Sequence, residues 1–442
     1  MIEKVTRVQS GKASEGASKR ELEPSWQRFA TSRGVCPLLL ALALACSQTP
    51  PKTTAEAPSA PENEGESPHA AGEAPSAETS AAHTHTVGAP APQEPRTPQV
   101  VELGRAKLTS KEADGWRELA LRHEKEQAAV AAPSLPLGSF RPLRTIPFGK
   151  SHLTFAELGP GGDWLVAASE AEGVLRHYDA ASGKLLAELQ VPGFEAYGRS
   201  AFLSWPLAQE RPVVLEVSDR GHVLLDVAGG TVVPLDDASG WALRLSQSER
   251  FVGSAVARLP AQTSSLRFAR PVAKPGLEPV LTLELSERAD DWVLVRGERV
   301  LALLYYPSEQ IELLDLVERR VMGVLPAPKY ASSIDVTPDE RLLAVGGEAL
   351  WLYDLRTGER VSTDERFDNN IGRVRFSPSG DRLVVTAYDG KARSYTMTDD
   401  RLGERQLLAH RGTANVYAAS FSRDGRRLVT SSGDQTVKVW ER

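Results

Sequence analysis

Four residues near the end of the chain could act together chemically: His410, Thr430, Asp434 and Trp440. A histidine, a hydroxyl and a carboxylate are the components of a nucleophilic triad. The same three groups, joined by an indole N–H, can instead satisfy one another's hydrogen bonds across neighbouring strands. The elements that hold these residues therefore decide whether they are catalytic or structural.

Elsewhere, the residues suited to catalysis lack a recognisable spacing. His152, His177 and His222 are scattered, and the sequence shows no nucleophile elbow, phosphate loop or paired-histidine zinc motif. The acidic pairs Asp290-Asp291 and Asp399-Asp400 are expected to be surface turns. We therefore expect no catalytic residue, no cofactor and no bound metal.

The segment that contains the four residues reads as three short strands separated by two turns. Val416 to Phe421, Leu428 to Thr430 and Val437 to Trp440 are β-rich, and glycine-containing turns lie between them. This pattern resembles a WD40 repeat, one blade of a β-propeller. The resemblance implies that His410, Thr430, Asp434 and Trp440 form the hydrogen-bond network that pins the turns of such repeats. It favours the structural interpretation over a triad.

A single blade cannot bury its apolar face, so further copies are expected. The third strand of such repeats ends in an aromatic residue and an acid, followed by a turn. Variants of this marker recur roughly every 40–45 residues, with one interval of about two blades. The seven marker positions are Tyr178-Asp179, Leu225-Asp226, Phe268-Ala269, Leu314-Asp315, Tyr353-Asp354, Tyr395-Thr396 and Trp440-Glu441. We therefore predict an all-β fold, a seven-bladed WD40-like β-propeller over residues 138–442.

Turn-forming residues support the same division, because they separate the first and second strands of five predicted blades. These turns lie at 158–162, 245–248, 336–339, 376–380 and 421–425. The last blade lacks a fourth strand after Trp440, and an unpaired edge invites aggregation. Residues 142–148 read as an orphan strand, and we predict that they pair with strand 436–440 and close the ring.

Residues 1–45 read as a signal peptide. The apolar run from Val35 to Ala45 is shorter than the roughly 20 residues that span a bilayer, and it fits the core of a secretory signal. A small-x-small site at 43–45 directly precedes Cys46. This arrangement resembles a bacterial lipoprotein box, although Ala43 stands where that family prefers leucine. The resemblance implies cleavage before Cys46 and lipidation of its thiol.

The region between Cys46 and the predicted ring divides into two parts. Residues 46–100 are rich in Ala, Pro, Ser, Thr and Glu, and are expected to form a disordered tether. Residues 101–137 are predicted to be a helical segment and linker. Thr109-Ser-Lys-Glu112 is a capping-box pattern that starts a helix over 109–131, and Trp116 is expected to pack this helix on the propeller.

Composition narrows the class of partner. The net charge of −6 argues against a nucleic-acid surface, which requires a basic patch. The two cysteines, Cys36 and Cys46, leave none for a disulfide in the head.

On WD40-like propellers, partners dock on the face made by the loops that enter each first strand and join the second strand to the third. The residues predicted for this face, rich in the Tyr and Arg that dominate interfaces, are Tyr197, Arg199, Lys329, Tyr330, Asn369, Asn370, Arg373, Tyr388 and Arg411.

The leading hypothesis is a lipoprotein in the cell envelope, anchored to the outer membrane or the periplasmic side of a membrane through lipid on Cys46. Its monomeric head would be a non-catalytic scaffold for envelope proteins. One alternative is a propeller-fold envelope hydrolase or lactonase with a metal in its channel. A second alternative is a cytoplasmic WD40 scaffold whose start is misassigned.

Overall fold

The computed structural model describes only part of the chain. The described residues are 99–126, 138–149, 155–159, 161–169, 172–190, 212–217, 221–226, 231–234, 241–246, 250–258, 263–271, 277–306 and 308–442. The predicted signal peptide, Cys46 and the tether before residue 99 lie outside them, as do Tyr197 and Arg199. Over the part that is described, no helix combines the length and apolarity needed to cross a membrane.

The first elements of the described chain lie outside the repeats. Strands β1 (Val100–Leu103) and β2 (Ala106–Thr109) form a hairpin, helix α1 (Ser110–Glu126) follows, and strand β3 (Arg141–Pro147) comes after it.

The remaining strands follow one another in antiparallel sheets, numbered here in chain order. Sheet 1 comprises β4 (Phe155–Leu158), β5 (Trp164–Ser169), β6 (Val174–Asp179) and β7 (Leu185–Gln190); sheet 2 comprises β8 (Pro212–Val217), β9 (Gly221–Asp226) and β10 (Thr231–Pro234). Sheet 3 contains β11 (Trp241–Leu245), β12 (Val252–Arg258), β13 (Thr263–Pro271) and β14 (Leu277–Leu285). Sheet 4 contains β15 (Arg288–Val295), β16 (Val300–Tyr306), β17 (Gln310–Asp315) and β18 (Arg320–Pro326).

The last three sheets have the same strand order. Sheet 5 contains β19 (Ser333–Val336), β20 (Leu342–Gly346), β21 (Leu350–Asp354) and β22 (Arg360–Asp364). Sheet 6 contains β23 (Ile371–Phe376), β24 (Arg382–Ala387), β25 (Lys391–Thr398) and β26 (Arg401–Ala409). Sheet 7 contains β27 (Val416–Phe421), β28 (Arg427–Ser432) and β29 (Thr436–Glu441). Each of the seven sequence markers lies on a different one of these sheets.

Burial explains why these segments form stacked sheets. The second strands β5, β20, β24 and β28 are buried on both faces or nearly so, and they read as continuous apolar runs. The fourth strands β7, β18 and β26 are largely exposed. The first strands contact one another in the order β11, β15, β19, β23, β27 and β4, so sheet 7 lies beside sheet 1.

Turns between first and second strands lie where the sequence predicts them at 336–339, 376–380 and 421–425. The predicted turns at 158–162 and 245–248 lie partly outside the described residues. In four sheets a hydroxyl makes the same hydrogen bond between the first and second strands. The residues that each accept from the backbone N–H five positions later, at 2.9–3.1 Å, are Ser246, Thr337, Ser377 and Ser422. The repeat is therefore visible in individual hydrogen bonds as well as in strand order.

Strand β3 completes sheet 7 from the opposite end of the described chain. It pairs antiparallel with β29, from Thr436 opposite Pro147 to Glu441 opposite Arg141. Ile146 is 2% exposed and packs in a cluster with residues of sheets 1 and 7. Phe140, just before the strand, packs against sheet 6 and sheet 7 residues. The segment therefore fixes sheet 7 to both of its neighbours.

Helix α1 begins with the capping box that the sequence predicts. Thr109 N–H donates to the Glu112 carboxylate at 3.2 Å, and Glu112 N–H donates to the Thr109 hydroxyl at 3.3 Å. Trp116 is 1% exposed and donates its indole N–H to the Glu298 carbonyl at 3.0 Å. Its ring packs against Phe251 and Phe268. The helix thus covers the seam between sheets 3 and 4.

The start of the predicted helical segment is wrong, because residues 100–109 form a hairpin. Strand β2 pairs with β14 through Lys107 opposite Glu284 and Ala106 opposite Leu285, and it extends sheet 3 to six strands. Leu103, Ala106 and Leu108 are buried against the sheet. Strands β1 and β2 are four residues long, which is too short to show a clear alternation of apolar and polar residues. Strand β2 forms because the edge of β14 is free to pair with it.

Replacing Ile146 by alanine is expected to lower the free energy of unfolding by about 2–5 kcal/mol, because a cavity remains between sheets 1 and 7. Thr145, exposed on the same strand, provides the control. Thr145→Ala should change the stability by less than about 0.5 kcal/mol. Urea unfolding measures both, and equal effects of the two variants would contradict the packing of β3.

Candidate functional site

The four residues suited to joint chemistry meet in sheet 7. His410 Nε2 lies 2.7 Å from the Thr430 hydroxyl, which also accepts the Trp440 indole N–H at 3.0 Å. His410 Nδ1 lies 3.3 Å from the Asp434 carboxylate. Asp434 in turn accepts the Arg411 backbone N–H at 2.8 Å. The network joins the loop before β27 to strands β28 and β29.

The burial of this network decides its chemistry. Thr430 is completely buried, so its hydroxyl cannot reach a substrate. Burial lowers the pKa of His410 to about 4, despite the nearby Asp434 carboxylate, so the ring is neutral at physiological pH. A neutral ring satisfies every contact if Nδ1–H donates to Asp434 and Nε2 accepts from Thr430. These contacts stabilise the turns of the repeat and leave no nucleophile exposed.

Sheet 6 fills the equivalent position with an ion pair. Asp389 aligns with Asp434 in the sequence, but no histidine aligns with His410 there. The structure instead pairs Asp389 with Arg393, whose guanidinium stacks on Phe367 at 4.5 Å. Both partners of the pair are buried. The paired arginine satisfies the buried carboxylate of sheet 6, as His410 does in sheet 7.

The described residues predicted for the docking face lie on the loops that enter sheets 5, 6 and 7, or next to them. Lys329 and Tyr330 precede β19, Asn369 and Asn370 precede β23, and Arg411 precedes β27. Tyr388 lies between β24 and β25, and its ring is 6.1 Å from that of Tyr417. Arg373 lies on β23 itself. These residues are called the loop face below.

Backbone hydrogen bonds hold the loops of this face to one another. Glu348 N–H donates to the Lys329 carbonyl, and Tyr388 N–H donates to the Asn370 carbonyl. A side chain at Gly347 would collide with the Lys329 carbonyl, 2.5 Å from the Cβ position. Gly390 has φ +79°, and its Cβ position would lie 2.8 Å from the Thr413 Cα. The face is therefore a set of tightly joined turns.

Tyr330 is the exposed aromatic residue of the loop face. It is 62% exposed, and its φ of 56° is unusual for a bulky residue. Its backbone N–H donates to the Glu309 carboxylate of the neighbouring sheet at 3.1 Å. Contacts with the neighbouring loops therefore hold an aromatic ring outward in a backbone conformation that costs free energy.

A second group of polar residues, which the sequence does not reveal, lies where the first strands converge. Arg244 on β11 pairs with Asp335 on β19, and lies 3.4 Å from Asp291 on β15. Asp291 also accepts the Ile334 backbone N–H at 3.0 Å. Burial would raise the pKa of Asp291, but the charges of Arg244, Arg375 and Arg373 outweigh it and lower that pKa.

The same group continues across to sheet 1. Glu157 on β4 interacts with the Ser420 hydroxyl on β27 and with Arg373 and Arg375 on β23. Burial raises its pKa to about 7, against the opposing effects of those neighbours. The axial cluster is therefore defined as Glu157, Arg244, Asp291, Asp335, Arg373 and Arg375.

The axial cluster corrects one interpretation of the sequence. Asp290-Asp291 is part of β15, and both residues are buried, so it is no surface turn. Asp399-Asp400 does form the turn between β25 and β26, with both φ angles positive. The trace of this cluster in the sequence is a single charged residue within an otherwise apolar first strand, as in Phe155-Ala-Glu-Leu158. Among the described residues, no group of three or more His, Cys, Asp or Glu could hold a metal ion.

Residues 404–441 match the family model described as "WD domain, G-beta repeat", the WD40 repeat. The matched segment contains β27, β28 and β29 together with the whole His410 network. The chain therefore contains a WD40 repeat.

Three curated proteins illustrate the wider similarity. The chain is 38% identical to WD repeat-containing protein 1 of Gallus gallus over 74 residues, which is 16% of this chain and 12% of that protein. It is 24% identical over 167 residues to U3 small nucleolar RNA-associated protein 12 of Saccharomyces cerevisiae, 35% of this chain and 17% of that protein. It is 40% identical over 71 residues to Actin-interacting protein 1 of Drosophila melanogaster, 16% of this chain and 11% of that protein. The chain thus spans less than a fifth of the length of each of these relatives.

The low pKa of His410 predicts a specific dependence of stability on pH. The unfolded imidazole takes up a proton near pH 6.5, whereas the folded one does so only near pH 4. The stabilisation tied to neutral His410 is therefore full above about pH 6.5 and is lost as the pH falls to 4. We expect the difference in unfolding free energy between the wild type and His410→Gln to shrink by about 3 kcal/mol across this window.

Trp440→Phe provides the matched control, because it removes one hydrogen bond of the network without removing a titrating group. Its destabilisation should stay constant from pH 7 to pH 4. Chemical denaturation at several pH values measures both differences. A His410→Gln difference that is equally constant would show that His410 is not a buried neutral histidine.

Proposed function

We propose that the protein is a seven-bladed WD40-type propeller that acts as a non-catalytic scaffold for protein partners. Seven sheets in chain order, contacts between the first strands from β11 through β15, β19, β23 and β27 to β4, and the pairing of β3 with β29 support this arrangement. The similarity to WD-repeat proteins supports the same conclusion.

The loop face is the surface that we assign to the partner. The observation that carries this assignment is Tyr330, an exposed aromatic ring held outward by its neighbours in a costly backbone conformation. Tyr388, paired with Tyr417, extends the aromatic surface across the loops of sheets 6 and 7. Tyrosine and arginine contribute most to interface energies, and rigid loops lose little conformational entropy on binding.

The double variant Tyr330→Ala/Tyr388→Ala is expected to weaken the binding of a protein partner more than tenfold, since it removes two aromatic anchors worth together about 2 kcal/mol or more. Proteins retained by the immobilised wild-type chain are identified by mass spectrometry, and the Kd of a purified partner is then measured for each variant.

Leu186→Ala provides the control for this experiment. Leu186 is 47% exposed on the outer strand β7, away from the loop face. Its replacement should leave the Kd within about twofold. A partner whose affinity falls with Leu186→Ala and not with the double tyrosine variant would place the docking surface on the sheet edges.

We further propose that the scaffold is exported and tethered to the cell envelope by lipid on Cys46, with a monomeric head. The support is the apolar run at 35–45, the small-x-small site and the cysteine that follows it. Its physical consequence is a local excess of the head near a membrane surface, which strengthens the binding of partners held there.

Palmitate labelling tests the anchor. Cells that express the full chain should incorporate labelled palmitate into it, and Cys46→Ala should abolish the label because no acceptor thiol remains. Cys36→Ala should still be labelled, since that cysteine precedes the cleavage site. An unlabelled wild-type chain would instead favour the cytoplasmic alternative.

A further inference from the structure

The tip of the β1–β2 hairpin lies against sheet 4. Gly104 and Arg105 form its two-residue turn, between Leu103 and Ala106. Gly104 has a φ of 58°, and a side chain there would lie 2.9 Å from a carboxylate oxygen of Glu312. A residue with a Cβ atom would therefore have to shift the turn. The close approach of the backbone to Glu312 fixes the place from which the Arg105 side chain extends.

The Arg105 side chain enters a site built from two carboxylates, an amide and an aromatic ring. Its Nε lies 3.2 Å from the Glu287 carboxylate, and its Nη2 donates to the Gln310 side-chain oxygen at 2.7 Å. Its backbone N–H donates to the Glu312 carboxylate at 3.2 Å. The guanidinium also lies over the Tyr305 ring, 5.1 Å from its centre. These are the groups with which a guanidinium interacts most favourably, so Arg105 joins the hairpin firmly to sheet 4.

The partners of Arg105 also hold the turn between β16 and β17. Glu287 accepts the Ser308 backbone N–H at 2.9 Å, and Gln310 is the first residue of β17. Glu309 lies between them and has a φ of 53°, in the left-handed region. Such a conformation costs free energy for a residue other than glycine and persists only when its surroundings support it. Arg105 contacts a partner on each side of Glu309.

Glu309 in turn holds the segment that carries Tyr330. Its carbonyl accepts the Ala327 backbone N–H at 2.8 Å, and its carboxylate accepts the Tyr330 backbone N–H at 3.1 Å. Tyr330 is also in the left-handed region, with a φ of 56°. Direct contacts therefore run from Arg105 through Gln310 and Glu309 to Tyr330.

We propose that Arg105 is a positioning residue of the loop face, and that attachment of the hairpin controls how Tyr330 is presented to a partner. This inference rests on the proposed docking function and adds its regulation. When the hairpin detaches, Glu287 and the buried Glu312 lose the guanidinium that pairs with both. The two carboxylates then repel each other, and the turn at 308–310 relaxes. A partner must now order the Tyr330 segment on binding, so its affinity falls.

Hydrogen–deuterium exchange of the full chain tests the coupling without a partner. Arg105→Met should speed exchange at 327–332 by about fivefold or more, the lower end of ordinary coupling between sites. Exchange around Tyr388 in sheet 6 should stay unchanged. Lys107→Ala is the matched control, because Lys107 lies on the same hairpin and its side chain is 54% exposed. Unchanged exchange at 327–332 in Arg105→Met, or an equal rise in Lys107→Ala, would overturn the proposal.

A second variant decides the question if Arg105→Met does not fold. Arg105→Lys keeps the charge but loses the planar fork that reaches Glu287 and Gln310 together. It should still speed exchange at 327–332 relative to the wild type, with the loops of sheet 6 unchanged. A uniform rise over all the sheets would show a loss of global stability, and the positioning role would then be rejected.

Partner affinity separates this inference from the docking function. With a partner recovered by the immobilised wild-type chain, Arg105→Met should weaken the Kd about fivefold or more. It should have no further effect once Tyr330 is alanine, because the group that it positions is gone. If Tyr330→Ala weakens the Kd and Arg105→Met does not, the docking surface stands and the positioning role falls. If Tyr330→Ala leaves the Kd unchanged, the docking assignment falls, and Arg105 controls no affinity even where the exchange result holds.

Discussion

The pairing of β3 with β29 is the contact on which the arrangement of the sheets depends. It joins a strand near residue 145 to β29, and it gives sheet 7 its fourth strand. Further contacts hold the same region in place: Arg442 pairs with Asp381 in sheet 6, and Arg427 donates to the Gly162 carbonyl beside sheet 1. These contacts bury apolar faces of sheets 6, 7 and 1 against one another, so the packing of these three sheets relies on this region.

Polar residues take two different roles around this framework. Near the loop face, buried groups are paired within one sheet: His410 with Thr430 and Asp434 in sheet 7, and Arg393 with Asp389 in sheet 6. They fix turns and leave the exposed loop residues rigid. In the axial cluster, by contrast, the charged groups come from the first strands of five different sheets, so their balance depends on the positions of those five strands. The networks near the loop face therefore stabilise single sheets, whereas the ion pairs of the axial cluster join neighbouring sheets.

The sequence predicts those features whose residues lie close together along the chain. The last repeat carries a polar network at fixed spacing, and the turns between first and second strands carry their own turn residues, so both are recognisable in a short window. The hairpin at 100–109 depends on an edge strand near residue 285, which no local pattern reveals. Asp291 and Arg244 become partners only when β11 and β15 lie side by side. The axial cluster is assembled from single charged residues in apolar strands, each of which looks incidental on its own.

The attachment of β1, β2 and α1 has a mechanical consequence. A force transmitted through the chain before Gln99 acts first on this hairpin, which β14 holds through two register pairs, and then on the helix anchored by Trp116. Only after both have detached would the load reach β3. The hairpin and helix α1 can therefore detach under load while the sheets that follow them stay folded.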